Sequence, residues 1–469
     1  MKKSLVAVGV IAALGVIWTG AAWYTGKQLQ QRLPSSLQQL NQQLTAQFPG
    51  ANLAITVEDY QRGVFSSKMR HVLHISSAGR SDKQTVSFLT TVDHGPFPQS
   101  ELKRFNLLPS MAAAHSTLEN TPYSAGVFRI TKGESPFTLD SRFSYGQTMA
   151  VRLNIIPLNL GVVNFSGTKI NVDGHFAKKT GELKFNLNTA GFELRVSNGE
   201  DVSEQILLKG LEISNNTVNG AFGLPVGKQS IALKQLSVTR DGAEKVAIDN
   251  LNVTGVSRET GDTLSTSVDY NIAALKVDKL NVGAMKLALQ FDNLDGSVLK
   301  TVLAAIDEYK QDEMMDEVSL GAVLSEQINA NLPQLLKRHP SISIKPFNWK
   351  NSQGESSFNM NLVFQPVAEG DTSPVAFIKQ IDSNLAISMP MAKEAMAQIT
   401  QLQGHTAEDS RRFAEHQVDL WTGTAQVLQM IQFDTQKQKI TSQLNYKDGV
   451  ANLNGSEMTL EELTKLFSK

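Results

Sequence analysis

The 469-residue chain has no cysteine, which excludes disulfides, thiolate metal sites and a cysteine nucleophile. It has no excess charge of either sign. Its 44 basic and 45 acidic residues leave a net charge of -1, which argues against a bulk electrostatic partner such as nucleic acid. Its eight histidines are scattered, at His71, His74, His94, His115, His175, His339, His405 and His416, with no H-E-x-x-H pair to start a zinc site. Gly227-Lys228 is not a phosphate loop, because Phe222 and Gln229 stand where a Walker motif needs Gly and Ser or Thr. A G-x-S-x-G nucleophile elbow is also missing.

One long uncharged run is present. Lys2 and Lys3 precede Ser4 to Tyr24, and the next charge is Lys27. As a helix at ~1.5 Å per residue, this run would span a bilayer core of ~30 Å. Trp18, Trp23 and Tyr24 cluster at its far end, as suits a membrane–water boundary. The basic pair marks the cytoplasmic side. The spacing therefore predicts a signal anchor over 1–26 in a bacterial inner membrane, single-pass, with the bulk of the chain in the periplasm. The alternative is a cleaved signal peptide, but the run is long for one and Gly20-Ala21-Ala22 is a poor A-x-A site. Gly9, Ala13 and Gly20 fall near one helix face and offer a surface for pairing into a homodimer.

Leu29, Leu33, Leu37, Leu40 and Leu44 then recur every three or four residues among glutamines. They predict a stalk helix over 27–50, interrupted near Pro34 and packed on its own domain, with Pro49-Gly50 closing it. From 51 to 292 the period becomes two. Leu183, Phe185 and Leu187 alternate with polar residues, as do Met285, Leu287, Leu289 and Phe291. Lys179-Thr180-Gly181, Asn198-Gly199, Asp241-Gly242 and Thr260-Gly261 mark turns, so the region reads as an antiparallel sheet. An apolar-x-x-Leu-x-apolar unit occurs four times, from Leu208, Leu233, Ile248 and Val277. A spacing of three then two needs a bulge or bend to keep its apolar residues on one face.

Residues 293–469 mix both periods. Leu299, Val302, Leu303 and Ile306 share one helical face, and Leu320, Val323, Leu324, Ile328 and Leu332 another. Strand pattern returns over 341–367, helices are expected over 374–403 and 408–432, and a hairpin follows around Lys447-Asp448-Gly449. Thr459 and Glu462 form a capping box for a terminal helix. The fold class expected is α+β: a transmembrane helix, then a large, mostly antiparallel, elongated β-sheet, with packed helices in the C-terminal part.

Several stretches carry a likeness: Ser4-Leu5-Val6-Ala7-Val8-Gly9-Val10, Tyr60 to Ser67 (YQRGVFSS), His94-Gly95-Pro96-Phe97-Pro98, Tyr446-Lys447-Asp448-Gly449 and Leu453-Asn454-Gly455. With them the whole chain resembles the YdgA-type family of uncharacterised bacterial inner-membrane proteins. The resemblance implies an inner-membrane protein with a periplasmic domain and supplies no catalytic residues. The four short units also look like those of AsmA-like envelope proteins, which form elongated sheets associated with phospholipid transport.

Single motifs have plain readings. Arg62-Gly63 with Ser66-Ser67 fits a tight turn entering a strand as well as a binding loop. His94-Gly95-Pro96-Phe97-Pro98 fits a stiffened strand exit. His71 and His74, three apart on a strand, face opposite sides and cannot share a metal. Asp312, Glu313, Asp316 and Glu317 fit a solvated helix end. No residue is assigned to catalysis, to a cofactor or to a metal, and no cofactor is expected. The reading that results is a non-enzymatic interaction or scaffold protein of the cell envelope. The alternative is binding or transport of phospholipid or another amphiphile on an apolar sheet face. A hydrolase acting through His94 is the third reading.

Overall fold

The computed structural model describes residues 2–47, 53–75, 84–177, 181–198, 201–278, 280–309, 317–366, 374–436, 438–447 and 449–467. By internal contacts the chain divides into two compact units, the first chiefly residues 1–200 and the second residues 201–309 and 315–469.

The first unit opens with helix α1, Lys2–Gln47. The side chains of residues 2–17 lie outside the described part, and with them most of the expected anchor and its Gly9 and Ala13. Among the described residues no helix is long and apolar enough to cross a membrane. The expected interruption at Pro34 is absent, and the helix runs through it. Proline already has a helical φ, so at an exposed position mainly one backbone hydrogen bond is lost. Leu29, Leu33, Leu37 and Leu44 are half-buried along one face, while Leu40 is exposed. Asn41 fixes that face to a strand edge: its side chain accepts from Ile55 N at 2.8 Å and donates to Ile55 O at 3.0 Å.

The strand bearing Ile55 is β1 (Leu53–Arg62), followed by β2 (Ser66–Ile75), β3 (Gln84–His94), short helix α2 (Gln99–Lys103), β4 (Ala112–Leu118), short helix α3 (Ala125–Ile130), β5 (Phe137–Phe143), β6 (Thr148–Ile155), β7 (Leu158–Asn159), β8 (Val163–Phe165), β9 (Thr168–Ala177) and β10 (Glu182–Asn198). Strands β1 to β6 pair antiparallel in chain order. Strand β6 then pairs with β9 and β9 with β10, while β8 pairs with the second half of β10 and β7 with β8. The alternation through Leu183, Phe185 and Leu187 is the first half of β10, where they face Phe176, Gly174 and Val172 across the ladder.

The second unit begins with five long strands, β11 (Asp201–Asn219), β12 (Pro225–Arg240), β13 (Ala243–Thr260), β14 (Thr263–Val277) and β15 (Leu280–Asp295). The predicted Asp241-Gly242 turn is a two-residue loop in which both residues have positive φ, 48° and 74°. That is the left-handed pair that suits the strand twist of a hairpin. Lys179-Thr180 and Gly199 lie outside the described residues.

The bend called for by the three-then-two spacing is present. Gly210 and Asn250, in mid-strand, have φ of 60° and 50°. Both lie level with Lys234, between the pairs Lys209↔Gln235↔Asp249 and Leu211↔Leu233↔Leu251. A side-chain carbon on Gly210 would lie 2.6 Å from the Lys234 chain, so both conformation and space call for glycine there. The fourth copy differs, because Val277 ends β14 and Asp278, at φ 52°, is in the turn before β15. Apolar rows cross the sheet from strand to strand. One runs Ile213, Ile231, Val253, Tyr270, Leu287, Phe347, Phe358.

After β15 come helices α4 (Gly296–Tyr309) and α5 (Glu317–Leu336), strands β16 (Ser341–Asn351), β17 (Gly354–Phe364) and β18 (Ile378–Ser388), helices α6 (Met389–Leu402) and α7 (Ala407–Val427), strands β19 (Gln432–Asp434), β20 (Lys439–Lys447), β21 (Val450–Leu453) and β22 (Ser456–Thr459), and helix α8 (Leu460–Phe467). Residues 378–388, read as helix from the sequence, form a strand. Ile378, Ile381, Leu385 and Ile387 fit neither period cleanly, and pairing to both β17 and β20 decides the outcome. The capping box forms as read: Glu462 accepts from Thr459 N at 2.8 Å, and Thr459 Oγ1 accepts from Glu462 N at 3.2 Å. Tyr446, Ala451, Leu453 and Leu463 make one buried cluster, and Met389, Val418 and Ile440 another. The fold is α+β with antiparallel sheets and helices concentrated in the C-terminal part.

Candidate functional site

Strand β15 ends at Asp295, which is nearly fully buried and caps α4. Its Oδ1 accepts from Ser297 N at 3.0 Å, from Val298 N at 3.2 Å and from Ser297 Oγ at 2.5 Å. Burial works against the charge of Asp295, but these donors and Gln334 hold its pKa below the usual carboxylate range. Gln334 Nε2 reaches the other oxygen at 3.3 Å, and Arg338 donates to Asp262 at 2.7 Å. The base of the α4–α5 hairpin is thereby fastened to the end of β15 and to the β13–β14 turn.

Above this clamp the two helices stand off the sheet. Between them and the sheet lies a half-open cavity of about 320 Å³ lined entirely by apolar side chains. Phe291 and Leu294 of β15 form its floor with Ile342 of β16 and Phe364 of β17. Val298, Leu299 and Val302 come from α4, and Ile328, Leu332, Leu335 and Leu336 from α5. Its volume is at the low end of the ~300–1,000 Å³ typical of small-molecule sites, and its lining is drier than most. Such a space accepts hydrocarbon and rejects any group that needs a hydrogen bond. Of the two helical faces read from the sequence, Leu299, Val302, Ile328 and Leu332 meet here, while Leu303 is exposed, Ile306 and Leu324 do not line the cavity, and the side chains of Leu320 and Val323 lie outside the described residues. The sequence reading missed Asp295. An Asp directly before Gly-Ser and an apolar period of 3.6 is an N-cap signal, and it was available.

The histidines are placed elsewhere. His71 Nδ1 is 2.8 Å from Thr90 Oγ1 on β3, and His74 Nε2 is 2.9 Å from Thr56 Oγ1 on β1, so the two rings diverge as their spacing implies. Among the described residues no three His, Asp or Glu side chains gather as a metal would need. Asp312, Glu313 and Asp316 lie outside the described part.

The sequence did not foresee that its two N-terminal motifs would meet. Arg62-Gly63-Val64-Phe65 is the β1–β2 turn, closed by Gly63 N donating to Ser66 O at 2.7 Å. His94 ends β3, and its Nδ1 is 3.0 Å from Val64 O. A carbonyl can only accept, so Nδ1 carries the proton and Nε2 accepts from Ser67 Oγ at 2.8 Å. Tyr60 Oη in turn donates to Ser67 Oγ at 3.1 Å. The Ser–His distance matches that of a nucleophile and its base. Both side chains are nevertheless fully buried, and α1 closes the pair: a side-chain carbon on Gly26 would lie 2.3 Å from the imidazole. There is no room at Ser67 for a substrate, and the cluster serves to seat α1.

A polar hollow of about 570 Å³ lies on the first unit, but most of its charges are answered. Asp140 pairs with Arg104 at 3.2 Å and His115 at 2.7 Å, and Glu101 with Arg142 at 4.0 Å.

Residues 1–461 match the family model described as bacterial protein of unknown function (DUF945). The chain belongs to that family. The DUF945 chain is 33% identical to Protein YdgA of Escherichia coli K12 over its whole length and 97% of that protein. It is 26% identical to the uncharacterized protein YihF of the same strain, over 98% of each. An uncharacterized protein of Haemophilus influenzae is 22% identical over 65% of this chain and 85% of its own. No solved structure matches. None of these names carries an activity, so functional inference rests on the geometry above.

Proposed function

We propose that this DUF945 protein is anchored in the inner membrane by residues 4–24, holds the rest of its chain in the periplasm, and binds the hydrocarbon part of an envelope lipid or other amphiphile between α4–α5 and the sheet. The observation that carries the binding proposal is the 320 Å³ cavity, which has no polar group in its wall. The basic pair, the apolar run and the aromatic cluster at its end support the anchor. A second reading, an interaction scaffold, is favoured by α7. Phe413, Leu420 and Val427 lie seven apart on its exposed side, with Trp421 beside them at 58% exposure.

A photocrosslinking amino acid at Leu332, and separately at Trp421, in the full-length protein in cells tests both readings. Mass spectrometry of the Leu332 adduct is expected to show a lipid-sized molecule. Absence of any small-molecule adduct at Leu332, with a protein of one defined mass captured at Trp421, would replace the first reading by the second.

A further inference from the structure

We infer that the first unit makes a second contact with the bilayer: the loop Phe105–Leu108 and the β1–β2 turn at Val64 enter the periplasmic headgroup region beside the anchor. The inference rests on the anchor proposed above and adds what the folded domain does at the lipid surface.

The depth of the domain follows from where α1 is gripped. The apolar run ends at Tyr24, and Trp18 lies six residues earlier, ~9 Å down a helix of 1.5 Å rise. Trp18 is already against the sheet, its ring centre 5.2 Å from that of Phe65. One turn higher, the Arg62 guanidinium sits 5.5 Å from the Trp23 ring, and Gly26 abuts His94. The β1–β2 turn therefore runs beside the last turns of the apolar segment, at the level where indoles meet headgroups. Val64, in that turn, is exposed.

The second element is fastened to the same place. Gly95 N donates to Met111 O at 2.8 Å and Ser110 N to Pro96 O at 2.9 Å, so the chain from 105 to 111 hangs from the residues directly after His94. On it Phe105 is 91% exposed, Leu107 69% and Leu108 63%. Phe105 also has φ 58°, a left-handed backbone that a bulky side chain rarely adopts. Single exposed leucines are ordinary on a protein surface. Three large apolar side chains within four residues, turned outward beside a membrane exit, suit insertion into the interface with Lys103 at headgroup level.

The lack of cysteine permits a direct test. Single-cysteine variants Phe105→Cys, Leu108→Cys and Val64→Cys, with Tyr123→Cys as the exposed control on the same unit, are labelled with an environment-sensitive fluorophore. Each full-length protein is reconstituted in phosphatidylethanolamine–phosphatidylglycerol vesicles carrying a shallow spin-labelled lipid. Labels at 105, 108 and 64 are expected to be quenched at least about two-fold more than at 123, and to emit further to the blue. Equal quenching at all four sites, with the protein still floating with vesicles after alkaline washing, overturns the inference and leaves the anchor standing. Loss of flotation overturns the anchor and, with it, the inference.

Discussion

The two units are held together by different means. The first is specified by polar contacts at named atoms: Tyr60, Ser67, His94 and Val64 form one chain of hydrogen bonds, and Arg70 joins β2 to Glu119 at 2.9 Å. The second is built from apolar rows across long strands and from helices laid over β15–β18, some of which are capped by side chains such as Asp295 and Thr459. Hydrogen bonds require fixed geometry, and a missing partner is costly. Apolar contact is non-directional, and a helix pair can stand off a sheet and leave space. The difference suits the first unit to seating a helix and the second to accepting a variable apolar guest.

The largest expected effect lies in the second unit. Leu453 is 1% exposed, among Tyr446, Ala451 and Leu463. Leu453→Ala should destabilise that unit by about 2–5 kcal/mol, from lost burial plus the cavity left behind. Urea unfolding followed through Trp349 and Trp421 would measure it, while Trp18 and Trp23 report the first unit. A transition that moves equally for both pairs would break the comparison, since the units would then unfold as one.

Gly26→Val is the counterpart in the first unit. The added carbons would meet the imidazole of His94 at a distance no side chain tolerates. Displacing helix or ring should cost about 1–3 kcal/mol. Faster protease cleavage within 27–47 would show that α1 has come away, and Gly26→Ala should give a smaller change in the same direction. An unchanged cleavage rate in both variants would remove α1 from the first unit's architecture.

These sites also show how far the sequence could be read. The strand periods, the Asp241-Gly242 hairpin, the Thr459–Glu462 box and the bend at Gly210 are local, and each was legible. The strand 378–388 was not, because its apolar spacing is ambiguous and partners 14 to 67 residues away decide it. The apolar faces of α4 and α5 were legible, but not that they would leave space against Phe291 and Phe364, since a void depends on how layers approach. The meeting of Ser67 with His94 is a contact between motifs 27 residues apart, set by the register of β2 on β3, in which Ser67 faces Val92. A pattern within either motif does not contain that register.

Thr459→Ala tests the kind of polar contact the second unit retains. Removing the hydroxyl leaves the Glu462 amide without its cap and should cost about 1 kcal/mol. The loss should appear in the Trp349 and Trp421 transition and be absent from that of Trp18 and Trp23.

The smallest expected effect is a slope, and it separates the units by pH. Burial lowers the pKa of His94, outweighing the Val64 carbonyl and Asp93, which favour the charged ring; Arg62 lowers it further. Burial lowers that of His71 as well. A histidine whose folded pKa lies below its unfolded value of ~6.5 binds fewer protons when folded, so its contribution is complete above that pH and is lost as pH falls towards the folded value. In the second unit the lowered groups are carboxylates, Asp295, Asp409, Glu461 and Glu462, whose contributions persist until pH falls through the carboxylate range. Between pH 7 and 5 the first unit should therefore weaken more than the second. His94→Gln, which keeps a side-chain partner for Ser67 but cannot titrate, should flatten the first unit's slope. Parallel slopes for the two tryptophan pairs would show that the buried ring is not what makes seating α1 sensitive to acid.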